Sequence, residues 1–100
     1  MVQINWTLLS VNDLKSIYDY ISKDSVKYAK IQVVKIRART SILKTYPLSG
    51  KIVPEYDDEK YRELIEGNYR IIYKIIDQTR IDILTIHHST RDLTNRNITG

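Results

Sequence analysis

Tyr61-Arg62-Glu63-Leu64-Ile65-Glu66, then Gly67-Asn68, then Tyr69-Arg70-Ile71-Ile72-Tyr73-Lys74-Ile75-Ile76 is the stretch that decides the fold. Two runs of period two, rich in β-branched and aromatic residues, flank a Gly-Asn pair suited to a type II′ hairpin turn. With Gly67 and Asn68 as the loop, Glu66 faces Tyr69, Ile65 faces Arg70 and Glu63 faces Ile72. Glu63 is then diagonal to both Arg70 and Lys74 on one sheet face, within reach of long side chains. Leu64, Ile71, Tyr73 and Ile75 share the other face and are the better candidates for packing under helices. The polar turn Asp77-Gln78-Thr79 leads into a third run, Ile81-Asp82-Ile83-Leu84-Thr85-Ile86-His87, so an antiparallel meander is expected from Tyr61 onward.

Upstream the period changes. Val2, Ile4 and Trp6 alternate with polar residues, which predicts a half-buried strand. Ser10-Val11-Asn12-Asp13 fits the Ser-x-x-acid capping box. Behind it, Leu14, Ile17, Tyr18 and Ile21 form one apolar helical stripe. After the polar break Ser22-Lys23-Asp24-Ser25, a longer helix is predicted from Val26, Ala29, Val33, Ile36, Thr40 and Leu43, ended by Pro47 and Gly50. The expected fold class is α+β with the order β-α-α-β-β-β: an antiparallel sheet, joined by the first strand, with an αα-hairpin on one face. Residues 1–90 form one domain in this reading, and residues 91–100 a polar tail without periodicity.

Composition narrows the function classes. One hundred residues, 42% apolar, suffice for a single core. No apolar run approaches the roughly 18 residues of a membrane helix, and the start lacks a basic segment followed by an apolar one, so no leader and no membrane partner are expected. Zero Cys excludes disulfides, a thiolate nucleophile and a Cys-based zinc site, and suits a reducing cytoplasm. With three glycines and no phosphate-cradling Gly-rich motif, no nucleotide cofactor is expected. The net charge of +4 is unevenly spread: residues 1–50 carry eight Lys/Arg against three Asp, residues 51–100 eight against nine acids. Such asymmetry suggests a nucleic acid or an acidic protein segment as partner. Lys23, Lys30, Arg37 and Lys44 recur every seven residues on one helix face. That stripe is either the wet side of the helix or the basis of a generic nucleic-acid-binding module, with only Tyr28 near for stacking.

Spacing alone reads Arg70 and Lys74 as a solvated charge cluster around Glu63, worth little stability. The functional reading is a cationic groove on the open sheet face, receiving phosphates or acidic side chains. His87 and His88 are neighbours on a strand and point to opposite faces, so they cannot easily share a metal, and no metal site is expected. A single imidazole remains suited to general acid or base work. Ser89, His88 and Asp92 have the letters of a triad but no nucleophile elbow. Asp57-Asp58-Glu59 lacks calcium-loop spacing.

The ordered set Pro47-Leu48-Ser49-Gly50-Lys51-Ile52-Val53-Pro54-Glu55, Tyr61-Arg62-Glu63-Leu64, Gly67-Asn68-Tyr69-Arg70-Ile71-Ile72-Tyr73, then His87 and Arg91, resembles the RelE/ParE toxin superfamily, most closely its ParE-like branch of plasmid stabilisation proteins. The resemblance implies the toxin half of a type II toxin–antitoxin pair, cytoplasmic and without cofactor, with a cognate antitoxin as partner. It offers acidic antitoxin segments as the reason for the positive excess. Two activities follow from it. RelE-like members cut messenger RNA on the ribosome without a metal, which would place Arg70, Arg91, His88 and Glu55 in catalytic roles. The lysines of that branch fall here on Tyr61 and Glu63, and its late tyrosine is missing. ParE-like members instead poison DNA gyrase as binding inhibitors, and the spelling of this chain favours that reading. Arg62, Glu63, Arg70, Lys74, Arg91, Lys30 and Arg37 are then the expected binding residues.

Overall fold

A computed structural model describes residues 1–90; the expected polar tail of 91–100, and with it Arg91, lies outside the described residues. The chain runs β1 (Gln3–Trp6), α1 (Leu8–Ser22), α2 (Val26–Arg39), a short 3-10 helix (Thr40–Lys44), β2 (Lys51–Ile52), β3 (Tyr61–Glu66), β4 (Tyr69–Ile75) and β5 (Arg80–His88). The sheet order is β1-β5-β4-β3-β2. The β3–β4 hairpin has the expected register, with Glu63 opposite Ile72 and Ile65 opposite Arg70. Its turn carries a positive φ at Gly67 (58°) and not at Asn68, the requirement of a II′ turn.

The α+β class and the helical hairpin on one face stand, and the sheet is mixed rather than wholly antiparallel. β1 lies parallel to β5, with Ile4 opposite Ile81 and Trp6 opposite Ile83. A parallel pair needs a long crossover, and everything between Trp6 and Arg80 supplies it. The two-residue β2 adds an edge strand beside β3. Helix α1 starts earlier than the Ser10 capping box predicts. Its N-cap is Thr7, whose Oγ1 accepts from the Ser10 amide at 3.2 Å. The same hydroxyl lies 2.9 Å from the Ile83 carbonyl, tying the helix start to β5 where β1 ends. Asp13 does not cap. It is buried and accepts from the Ile86 amide (3.0 Å) and the Thr85 hydroxyl, taking the place of a neighbouring strand along the uncovered edge of β5. The second helix loses its α pitch at Thr40, where Thr40 and Ser41 hydroxyls donate back to the Arg37 and Ala38 carbonyls and tighten the turn. Val26, expected in the buried stripe, is exposed.

Between helices and sheet lies the main core, where Leu14, Ile36, Leu43, Leu64, Ile71, Tyr73, Ile81, Ile83 and Ile86 are buried together. Tyr73 is fully buried, and its hydroxyl donates to the Pro47 carbonyl (2.8 Å) and accepts from the Gly50 amide (3.0 Å). This pins the segment that enters β2. Gly50 must be glycine there, since a Cβ would meet the Glu63 carbonyl oxygen and the Tyr73 hydroxyl at 2.6 Å. On the opposite sheet face, Val53, Ile72 and Leu84 form a smaller core with Leu9, Tyr56 and Tyr61 packed against it. Between Ile72 and Tyr73 the β4–β5 register slips by one: Ile72 faces Thr85 but Tyr73 faces Ile83, so Leu84 is an extra residue in a β-bulge.

Candidate functional site

Arg70 is held on the sheet face away from the helices by its position in β4, two residues before Ile72 of the smaller core. Four elements converge on it. β3 contributes Glu63, β2 contributes Lys51 opposite Glu63, the loop after Pro54 contributes Glu55, and β5 contributes His87 directly opposite Arg70. The Arg70 Nε donates to Glu63 at 2.5 Å, while both terminal nitrogens donate to the two oxygens of Glu55 at 2.7 and 2.9 Å. Lys51 approaches Glu63 at 3.4 Å from an exposed position.

The solvated reading of the Arg70–Glu63 pair is therefore corrected. Glu63 and Arg70 are 3% and 9% exposed. The cause is the chain from Val53 to Lys60, which folds over this face and brings Glu55 onto the guanidinium, a long-range contact outside the hairpin's own register. The Arg70 hydrogen bonds hold the Glu55 carboxyl down to about 2 against the opposing effect of burial. The two carboxylates in turn push the Arg70 guanidinium further up. Two cations and two carboxylates leave the cluster formally neutral at pH 7. All five hydrogen-bond donors of a guanidinium point in a fixed fork, and here both of its edges are spent on carboxylates. Three of its five N–H groups donate to Glu63 and Glu55, so a phosphate arriving at Arg70 competes with these carboxylates.

The other sequence candidates scatter. Lys74 leaves the Glu63 cluster and sits 5.2 Å above the Tyr61 ring. Arg62 donates to the Gly50 carbonyl at 2.9 Å and, through Nε, to the Glu59 carbonyl, so it braces the loops on either side of β2. Lys30 is exposed on α2, and the exposed Arg37 lies 5.4 Å over the Trp6 ring. The two imidazoles do point to opposite faces. His88 lies on the helix side, edge-on to Tyr69 with ring centres 5.4 Å apart, its Nδ1 2.7 Å from the Thr90 hydroxyl. With Asp13, Ser16 and Tyr20 it lines a groove between α1 and the end of the sheet. The sheet thus separates His88 from Glu55 and Arg70. The imidazole beside Arg70 is that of His87, buried, which the sequence reading did not choose. Its strand position was visible; its pairing with Arg70 depends on the bulge. Among the described residues, no three His, Asp or Glu side chains are grouped so as to hold a metal ion, and no helix is long and apolar enough to cross a membrane.

Comparison with known proteins bears on the whole chain. The family model described as ParE toxin of type II toxin-antitoxin system, parDE, matches residues 4–93. Among solved structures, the chain is similar to one titled chromosomal ParDE TA system from P. aeruginosa, with 24% identity, 88% of this chain and 96% of that chain covered and a TM-score of 0.72. It is also similar to the YoeB/ParE toxin from Agrobacterium tumefaciens, with 18% identity, 87% and 98% coverage and a TM-score of 0.60. At these identities the two structures speak for the fold. No curated protein matches the chain. The family match over nearly its full length, with a fold of the same kind, makes this chain a member of the ParE toxin family of type II toxin–antitoxin systems, with a cognate antitoxin as its partner.

Proposed function

We infer that this toxin acts as a non-nucleolytic inhibitor directed at DNA gyrase in the cytoplasm. The observation that carries the reading is the state of Arg70. Metal-free cleavage of RNA needs a cation free to offset charge on the scissile phosphate, together with an acid and a base on the same side of the site. Here Glu55 and Glu63 hold the guanidinium, the imidazole on its side of the sheet, His87, is buried at 2% exposure, and His88 lies across the sheet. Neutral and closed, the cluster suits a structural clamp that fixes the Val53–Lys60 loop against the sheet. What remains for function is binding, which agrees with the gyrase poisoning that the ParE-like resemblance implies.

Purified toxin added to gyrase and relaxed plasmid tests this. Supercoiling should stop, or cleaved plasmid accumulate, at near-stoichiometric toxin; unimpaired turnover overturns the reading. Primer extension on messages from induced cells should show no new ends within codons. Such ends, abolished by Arg70→Ala, would establish the ribonuclease instead.

A further inference from the structure

Residues 25–54 contain seven Lys/Arg and no Asp or Glu. Lys27, Lys30, Lys35 and Lys44 are exposed in this stretch. Among the described residues the ion pairs lie elsewhere, on Arg70, Lys51 and Arg80. Helix α2 buries Ala29 and Ile36, and its outward side carries one exposed line, Ile31, Val34 and Ala38 at i, i+3 and i+7. At about 100° per residue, Lys30 and Arg37 stand on one side of this line, Lys35 and Arg39 on the other, and Lys27 at its head. Arg37 is braced over the Trp6 ring and Arg39 against the Ile65 carbonyl at 3.4 Å, which leaves the lysines as the movable charges. Cations therefore border both sides of a narrow neutral ridge.

That arrangement matches duplex DNA. A helix with its side chains is about 10–12 Å across, and the major groove is about 12 Å wide. Phosphates border the groove on both sides, and thymine methyls on its floor accept apolar contact of the kind Val34 and Ala38 offer. A single strand fits less well. The exposed rings of Tyr28 and Tyr46 stand at the two ends of the ridge with roughly 20 Å of helix between them, so they cannot stack neighbouring bases. Their hydroxyls suit phosphate contacts instead. A lipid surface calls for a broad apolar face, and this ridge is one residue wide with Ala38 in it. A second copy of the chain would set two cationic surfaces face to face. We propose that the outer face of α2 docks in the major groove of duplex DNA, with Lys27, Lys30, Lys35 and Lys44 on phosphates and Val34 and Ala38 toward the base edges. The proposal concerns the toxin by itself and does not rest on gyrase as the target.

Fluorescence anisotropy of a labelled two-turn DNA duplex, titrated with the purified full-length chain and with neither antitoxin nor gyrase present, tests it. Four phosphate contacts set a log–log salt slope of about −3.6, a loss of about 100-fold between about 50 and 200 mM salt. Lys30→Ala with Lys35→Ala should reduce the slope by about 2. Lys60→Ala, which removes a cation from the loop over the opposite sheet face, should leave it unchanged. Val34→Asp should weaken binding about tenfold or more by setting a carboxylate among phosphates, while Val34→Thr stays near the parent. Melting temperatures should be alike throughout, since these side chains are exposed. Absence of duplex binding at about 50 mM salt overturns the proposal, as does a slope indifferent to the lysine pair or an affinity indifferent to Val34→Asp. Binding to the single strand at least as tight as to the duplex, and lost in Tyr28→Ala, overturns it in favour of base stacking. Binding to phosphatidylglycerol vesicles but not to duplex overturns it in favour of a lipid surface.

Discussion

On the helix side of the sheet, strands β3 and β4 bury Leu64, Ile71 and Tyr73 among Ile36, Leu43 and Leu14. On the other side, the same two strands bury Glu63 and Arg70, roofed by Glu55 and bordered by the small Val53–Ile72–Leu84 core. Both sets of side chains are buried, but they are stabilised differently. Apolar burial adds stability residue by residue, in proportion to area. A buried ion cluster gives little net stability, because desolvation offsets attraction, while losing one member leaves a buried charge exposed to the full penalty. The first face should respond to truncation by volume. The second should respond to imbalance of charge.

Tyr73→Ala should show the largest effect. Removing a fully buried ring from the main core costs about 3–5 kcal/mol, a large share of the 5–15 kcal/mol available to a small domain. It also strands the Gly50 amide and the Pro47 carbonyl. Thermal unfolding should fall by roughly 20 °C. Tyr73→Phe keeps the volume and loses only the two hydrogen bonds, so it should cost about 1–3 kcal/mol. A Phe variant as unstable as the Ala variant would mean that the helix side, too, is governed by polar pairing, and the contrast between faces would fail.

Charge imbalance is next in size. Glu63→Ala should cost about 3 kcal/mol, since the Arg70 Nε loses its partner at a buried position while Glu55 still holds the terminal nitrogens. Replacing the set together, Glu55→Gln, Glu63→Leu and Arg70→Met, should be close to neutral in chemical denaturation despite changing three residues. If the triple variant proves less stable than Glu63→Ala alone, the cluster supplies net stability and the open face behaves like the helix face.

The same contrast explains what could be read in the sequence. The hairpin register, and with it the division of Leu64, Ile71 and Tyr73 from Glu63 and Arg70, follows from Gly67-Asn68 and a period of two, both local properties. The bulge does not. Continued without an extra residue, the Ile75–Ile81 pairing would set His87 opposite Tyr69 on the helix side and His88 on the Arg70 side. Leu84 reverses this, and nothing in Ile83-Leu84-Thr85 distinguishes a bulge from regular alternation. The orientation of β1 was hidden for a related reason: its partner lies some 77 positions away, and alternation is the same for parallel and antiparallel neighbours. Glu55 was visible as a residue, but its place on Arg70 is set by loop packing that no period encodes. The exposed line on α2 was legible as spacing and was obscured by the stronger heptad of Lys23, Lys30, Arg37 and Lys44.

The smallest effect belongs to the open face, where the Glu55 carboxyl titrates against Arg70. The Glu55 carboxyl is held at about 2 by Arg70, below its value in the unfolded chain, about 4.3. A depressed carboxyl stabilises the folded state above the unfolded value and loses that contribution as pH falls through the folded one. Linkage sets an upper bound of about 3 kcal/mol, and the 25% exposure of the Glu55 side chain reduces this to about 1–2 kcal/mol. Stability measured by urea unfolding should therefore decline between about pH 4.5 and pH 2 by that amount beyond the decline shown by Glu55→Gln. The variant isolates the residue, since every other carboxyl titrates in both proteins. Curves that run parallel across this window would mean that Glu55 does not hold Arg70 in solution. The guanidinium would then stand open to phosphate, and the case for a non-nucleolytic toxin would lose its support.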